Sequence, residues 1–121
     1  MPGRLRRASA DEVEGALARD GRDRATTRML VKHFLAVLSE RAPGNSVEVR
    51  VPPHAAAQVI PGVRHTRGTP PAVIETDADT WIALATGNLT WAEAVGSGRV
   101  RASGERTDLT AYLPLHEPKN Q

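Results

Sequence analysis

The 121-residue chain has no cysteine, which excludes a disulfide framework, a thiolate nucleophile and any thiolate-ligated metal. Aromatic residues are nearly absent as well. They make up 3% of the chain, namely Phe34, Trp81, Trp91 and Tyr112. The core must therefore be built from Val, Leu, Ile and Ala. A cavity in such a core has aliphatic walls, which suit an acyl or terpenoid chain better than a flat heterocycle. Long apolar runs are missing too. The longest, near residues 29–38, is interrupted by Lys32 and His33 and falls short of the roughly 20 residues a membrane-spanning helix needs. No apolar stretch of signal-peptide length follows the basic N-terminus. No transmembrane segment is expected, and cytoplasmic residence is.

Charge of one sign is also scarce. The formal net charge is +2, with acids close to arginines in most segments. No nucleic-acid partner is expected from so even a distribution, and one would reveal itself by a steep loss of affinity with salt. Two clusters depart from the balance: Arg4, Arg6 and Arg7 at the N-terminus, and Arg64, His65 and Arg67 in mid-chain.

Chemistry-bearing constellations are thin. None of the four histidines, His33, His54, His65 and His116, stands three or four residues from another, so no helical metal pair exists and no metal site is expected. Asp77 and Asp79 fall in the first turn of a helix, where orphan amides and the helix dipole favour anions, so they read as caps rather than as an acid–base pair. Gly96-Ser97-Gly98 follows a helix rather than a strand and lacks the nucleophile-elbow pattern. Gly-rich phosphate loops are absent. The expectation is a protein with no catalytic residues, no cofactor and no enzymatic activity.

What is present is periodicity. Ser9 and Glu12 have capping-box spacing ahead of Val13, Ala16 and Leu17, which predicts a short helix. Leu30, Phe34, Val37 and Leu38 form a helical stripe within residues 24–41, with Lys32, Ser39 and Glu40 on the other side and Pro43-Gly44 as the stop. Val47, Val49 and Val51 alternate with Glu48 and Arg50 in a half-buried strand. Residues 55–60 predict a second strand paired antiparallel to it, and residues 72–75 a third. Thr76 with Asp79, and Thr90 with Glu93, repeat the box spacing before two Trp-bearing helices. Residues 99–102 predict a strand. Asp108 is expected to open a last helix carrying Leu109, Tyr112 and Leu113, ended by Pro114. Residues 1–8 are expected to be a flexible basic N-terminus, 9–115 one domain, and 116–121 a flexible tail.

The segment Thr76-Asp77-Ala78-Asp79-Thr80-Trp81-Ile82-Ala83-Leu84-Ala85-Thr86-Gly87, followed by Thr90-Trp91-Ala92-Glu93-Ala94-Val95-Gly96-Ser97-Gly98-Arg99-Val100-Arg101, resembles sterol-carrier-protein-like domains in order and spacing. With Ser46-Val47-Glu48-Val49-Arg50-Val51-Pro52-Pro53 and His65-Thr66-Arg67-Gly68-Thr69-Pro70-Pro71, the whole chain resembles the compact bacterial orthologue group of that family. The resemblance implies an α+β fold: a mostly antiparallel sheet of about four or five strands with helices on one face and an apolar tunnel between the layers. It also implies an apolar small-molecule ligand, a lipid, fatty-acyl or sterol-like chain, bound without chemistry. Phe34, Leu38, Trp81, Leu84, Trp91, Leu109, Tyr112 and Leu113 are then the pocket candidates. Two arginines and an imidazole at Arg64, His65 and Arg67 suit an anionic head group. The alternatives are that the large side chains simply fill the core, and that the protein is an interaction module using the loop of residues 64–71 as its contact surface. The oligomeric state is not legible.

Overall fold

The computed structural model describes residues 5–62, 72–104 and 107–118, and among these the chain forms four α-helices, four strands and one 3-10 turn. β1 (Val47–Val51) buries its three valines and turns Glu48 and Arg50 outward, as its alternation requires. It pairs antiparallel with β2 (Ala55–Val59) across the Pro52-Pro53-His54 turn, Val47 facing Val59 and Val51 facing Ala55. On its other edge β1 pairs with β3 (Ala72–Thr76), which in turn pairs antiparallel with β4 (Val100–Ser103). The strand order is β2-β1-β3-β4. The sheet is mostly antiparallel as expected, but its central β1–β3 pair is parallel, with Val47 opposite Ala72 and Val49 opposite Ile74.

One face of the sheet carries Val47, Val49, Val51, Val59, Ala72, Ile74 and Val100 into the core. The opposite face carries Glu48, Arg50, Glu75 and Arg101. Register sets Arg50 beside Glu75 and Glu75 beside Arg101, and Arg50 Nε donates to Glu48 Oε1 at 2.6 Å. Charges of alternating sign leave that face suited to water.

The helices cover the apolar face. α2 (Arg24–Arg41) opens on Asp23, whose side chain accepts from the Thr26 amide. It is buried more completely than a one-faced amphipathic helix: every residue from Leu30 to Leu38 is buried except half-buried Lys32. The cause is position, since α2 lies between β2 and a second tier made of α1 (Ala10–Ala18) and α3 (Ala78–Thr86). Ser9 and Glu12 close the expected capping box on α1, and Thr90 and Glu93 close that on α4 (Trp91–Gly96).

Two elements differ from expectation. The helix expected to be capped by Thr76 with Asp79 is α3, and its cap is Asp77, whose carboxylate accepts from the Thr80 amide at 2.8 Å and the Thr80 hydroxyl at 2.9 Å. Thr76 belongs to β3 instead, donating its hydroxyl to the Arg99 carbonyl at 2.9 Å. The last helix is only a 3-10 turn, Thr110–Tyr112. Asp108 binds the Thr110 amide two residues on, which makes a local turn rather than an α-helical cap, and Pro114 forces Leu113 into an extended conformation before one α-turn is complete.

Candidate functional site

The pocket candidates occupy the space between sheet and helices, and they fill it. Phe34, Leu38, Trp81, Leu84 and Leu109 each show 0% exposure. Side chains without accessible surface border no void that a water molecule fits, so these five pack against protein on every side. Trp81 is also anchored, donating its indole N–H to the Val31 carbonyl at 3.3 Å and so tying α3 to α2. Trp91 is buried on α4, while Tyr112 and Leu113 pack half-buried against the cluster. None of the eight lines any of four surface grooves, of about 410, 90, 460 and 250 Å³. The head-group candidates Arg64, His65 and Arg67 lie outside the described residues.

A groove of about 410 Å³ does open on the outer tier, between α1 and α3. Its floor is aliphatic: Leu17 and Ala18 from α1, Ile82 and Ala83 from α3. Its rim is polar, with Glu14 and Arg22 on one side, Asp79, Thr86 and Asn88 on the other, and His116 from the C-terminal segment. His116 Nε2 stands 3.3 Å from Glu14 Oε1. The α3 wall has this shape because Asp77 fixes the start of the helix and Gly87 ends it in the left-handed conformation, φ 83°. The volume falls within the roughly 300–1,000 Å³ of small-molecule sites. Sequence reading missed this place. Leu17 was legible only as the third apolar residue of a short helix, and Ala83 as one alanine among many; no motif marks either.

Beside the groove, and separated from it by Glu14 and His116, lies a narrower cavity of about 90 Å³ bordered by Arg7, Val13, His33, Val37 and Glu117. Glu117 is held there by ion pairs with Arg41 at 2.9 Å and Arg7 at 3.2 Å, and hydrogen bonds from Arg41 and then Arg7 lower its pKa. Another open groove, of about 460 Å³, runs along Pro52, Glu75, Thr76, Asp77, Arg99 and Arg101. Its lining is almost wholly polar, and its acids and guanidiniums offset one another.

Among the described residues no three His, Cys, Asp or Glu side chains come together as a metal site would require, and no helix is long and apolar enough to cross a membrane. A family model described as bacterial SCP ortholog matches residues 23–115. No curated protein matches the chain. The matched span takes in α2, the whole sheet, α3, α4 and the 3-10 turn, and begins after α1.

Proposed function

The chain belongs to the bacterial SCP ortholog family, and from that membership we propose that it is a non-catalytic binder of an apolar small molecule, a fatty-acyl or other lipid chain. The site is the α1–α3 groove, not the space between sheet and helices. One observation carries the choice: five of the eight interlayer side chains, Phe34, Leu38, Trp81, Leu84 and Leu109, have no free surface, whereas Leu17, Ala18, Ile82 and Ala83 line an open groove of about 410 Å³. The apolar part of the ligand covers those four residues, and its polar end stays with the rim of Arg22, Asn88 and His116. Burial of apolar surface contributes to the affinity at about 25 cal/mol per Å², beside contacts from a polar rim that makes up as much of the lining as the apolar residues do.

The test is titration with a fluorescent fatty acid, alongside native mass spectrometry of freshly purified protein. Ala83→Phe fills the groove and is expected to weaken binding at least tenfold. The volume-conserving core change Leu38→Met is expected to leave it unaltered. Binding that survives Ala83→Phe but is lost on Leu38→Met places the ligand in the core and removes the groove. Absence of binding to fatty acids and acyl thioesters removes the ligand reading altogether. The closed core equally favours a protein-interaction module, and that second reading is then the one left standing.

A further inference from the structure

The chain ahead of α1 is tied down by a hydrogen bond of an unusual kind. The Ala8 amide donates to Nδ1 of His33 at 2.9 Å, a backbone donor received by an imidazole on α2. His33 is 8% exposed. The contact requires Nδ1 to be bare, so the neutral ring carries its proton on Nε2. A second proton would set N–H against N–H and abolish the bond.

Every element around the ring bears on its charge. From the N-terminal segment comes Arg7, paired with Glu40 at 2.9 Å and Glu117 at 3.2 Å. From α1 comes Glu14, facing His116. From the C-terminal segment come His116 and Glu117, and from α2 itself Glu40. The Phe34 ring stands edge-on to both imidazoles, its centroid 4.9 Å from His33 and 6.2 Å from His116. Burial is the largest influence on His33 and lowers its pKa; Arg7 and His116 lower it further, against Glu117 and Glu40. The cavity of about 90 Å³ beside the ring is bordered by Arg7, Ala8, Val13 and Glu14, so the latched segment and α1 form one of its walls.

We propose that His33 is a pH-sensitive latch: neutral, it holds residue 8 and α1 against α2; protonated, it releases them. α1 is suited to release. It packs thinly on α2, buries only Val13 and Ala16, and lies outside the span that defines the family fold. Release removes Leu17 and Ala18 from the α1–α3 groove and so abolishes one of its walls. That last consequence rests on the proposed ligand site, while the latch does not. His116 Nε2 stands 3.3 Å from Glu14 Oε1 and so ties the C-terminal segment to α1 independently of His33.

The experiment is a pH titration of the full-length, ¹⁵N-labelled chain from 7.5 to 5 by NMR. It follows the Ala8 amide, the heteronuclear NOE of residues 10–18 and the His33 ring in the same samples. The expected result is that all three change together, with a midpoint below the ordinary histidine value of about 6.5. Glu14→Gln weakens the second tie, that of His116 to α1, and is expected to deepen the loss of α1 order at the acid end of the titration. His33→Asn keeps an acceptor near the Nδ1 position but cannot gain a proton, and is expected to hold α1 ordered throughout. The latch is overturned if α1 keeps its order while His33 titrates, or if the transition persists in His33→Asn. The wild-type titration decides the matter even where a variant does not fold. Fatty-acid affinity measured over the same range is a separate arm: no binding at any pH ends the ligand reading and leaves the latch to the NMR result.

Discussion

Arg41 ends α2 with its guanidinium spread over a strand of backbone more than seventy residues away. Nη1 donates to the carbonyls of Tyr112 at 3.2 Å and Pro114 at 2.9 Å, and Nη2 to the Leu115 carbonyl at 3.3 Å and the Glu117 carboxylate at 2.9 Å. A planar fork meets several acceptors at once; an ammonium meets fewer and in different directions. Arg41→Lys is therefore expected to cost nearly as much as Arg41→Ala, on the order of 1–2 kcal/mol in urea unfolding, the side chain being about a third exposed. If Lys restores full stability, charge alone holds the segment and the fork is irrelevant. Sequence reading assigned residues 116–121 to a flexible tail, because nothing local to His116 or Glu117 reports an arginine brought up by α2. Gly44 shows the same limit. A Cβ there would stand 2.2 Å from the Ile60 carbonyl oxygen, and Ile60 itself adopts φ 71°, with its amide donated to Ala42 at 2.6 Å. The glycine was legible as a helix stop; the backbone crossing it permits was not.

Helices were legible where the signal is local. The stripe of Leu30, Phe34, Val37 and Leu38 and the boxes at Ser9/Glu12 and Thr90/Glu93 need only neighbours within one or two turns, and each forms as its spacing predicts. The start of α3 was ambiguous for a physical reason. Thr76 and Asp79 have the same spacing as Asp77 and Thr80, and only the register of β3 against β4 decides which threonine the strand claims. Asp77→Ala removes the accepted bonds from Thr80 and is expected to cost about 1 kcal/mol. Asp79→Ala leaves the cap intact and is expected to cost a few tenths, through the dipole alone. Thermal unfolding of the two variants separates them, and equal losses would restore the Thr76/Asp79 reading. The 3-10 turn was read as a helix because Leu109, Tyr112 and Leu113 share a helical face; the Asx turn at Asp108 and the proline at 114 leave too few residues to propagate one. The parallel β1–β3 pair was not legible, since strand order is fixed by how the layers close rather than by any strand's own pattern.

At the scale of the molecule, a lined tunnel and a filled core look alike in the sequence, because large apolar side chains on helix faces satisfy both. Packing leaves Phe34, Leu38, Trp81, Leu84 and Leu109 no free surface, and it also places an imidazole inside the molecule, which fixes how stability answers to acid. His33 has a folded pKa below its ordinary value, chiefly through burial. Between about 6.5 and that lower value the unfolded chain takes up a proton that the folded chain refuses. Its contribution is therefore complete above about pH 6.5 and declines as pH falls through the window beneath. Glu117 is also lowered, by hydrogen bonds from Arg41 and Arg7. Its contribution is complete above the ordinary glutamate value of about 4.3 and is lost as pH falls further. The melting temperature is accordingly expected to fall in two stages on acidification, the first setting in below about pH 6.5 and the second below about 4.3. Salt distinguishes their origins. The ion pairs of Glu117 are more than half exposed on the carboxylate side, so about 0.5 M NaCl shrinks the lower stage by screening. The upper stage arises mainly from desolvation, which salt does not relieve, and persists. Calorimetry from about pH 2.5 to 7.5 at low and high salt reads both; a melting temperature flat from pH 7 to 5 would mean that His33 charges without penalty and that the interior around α1 is open to water.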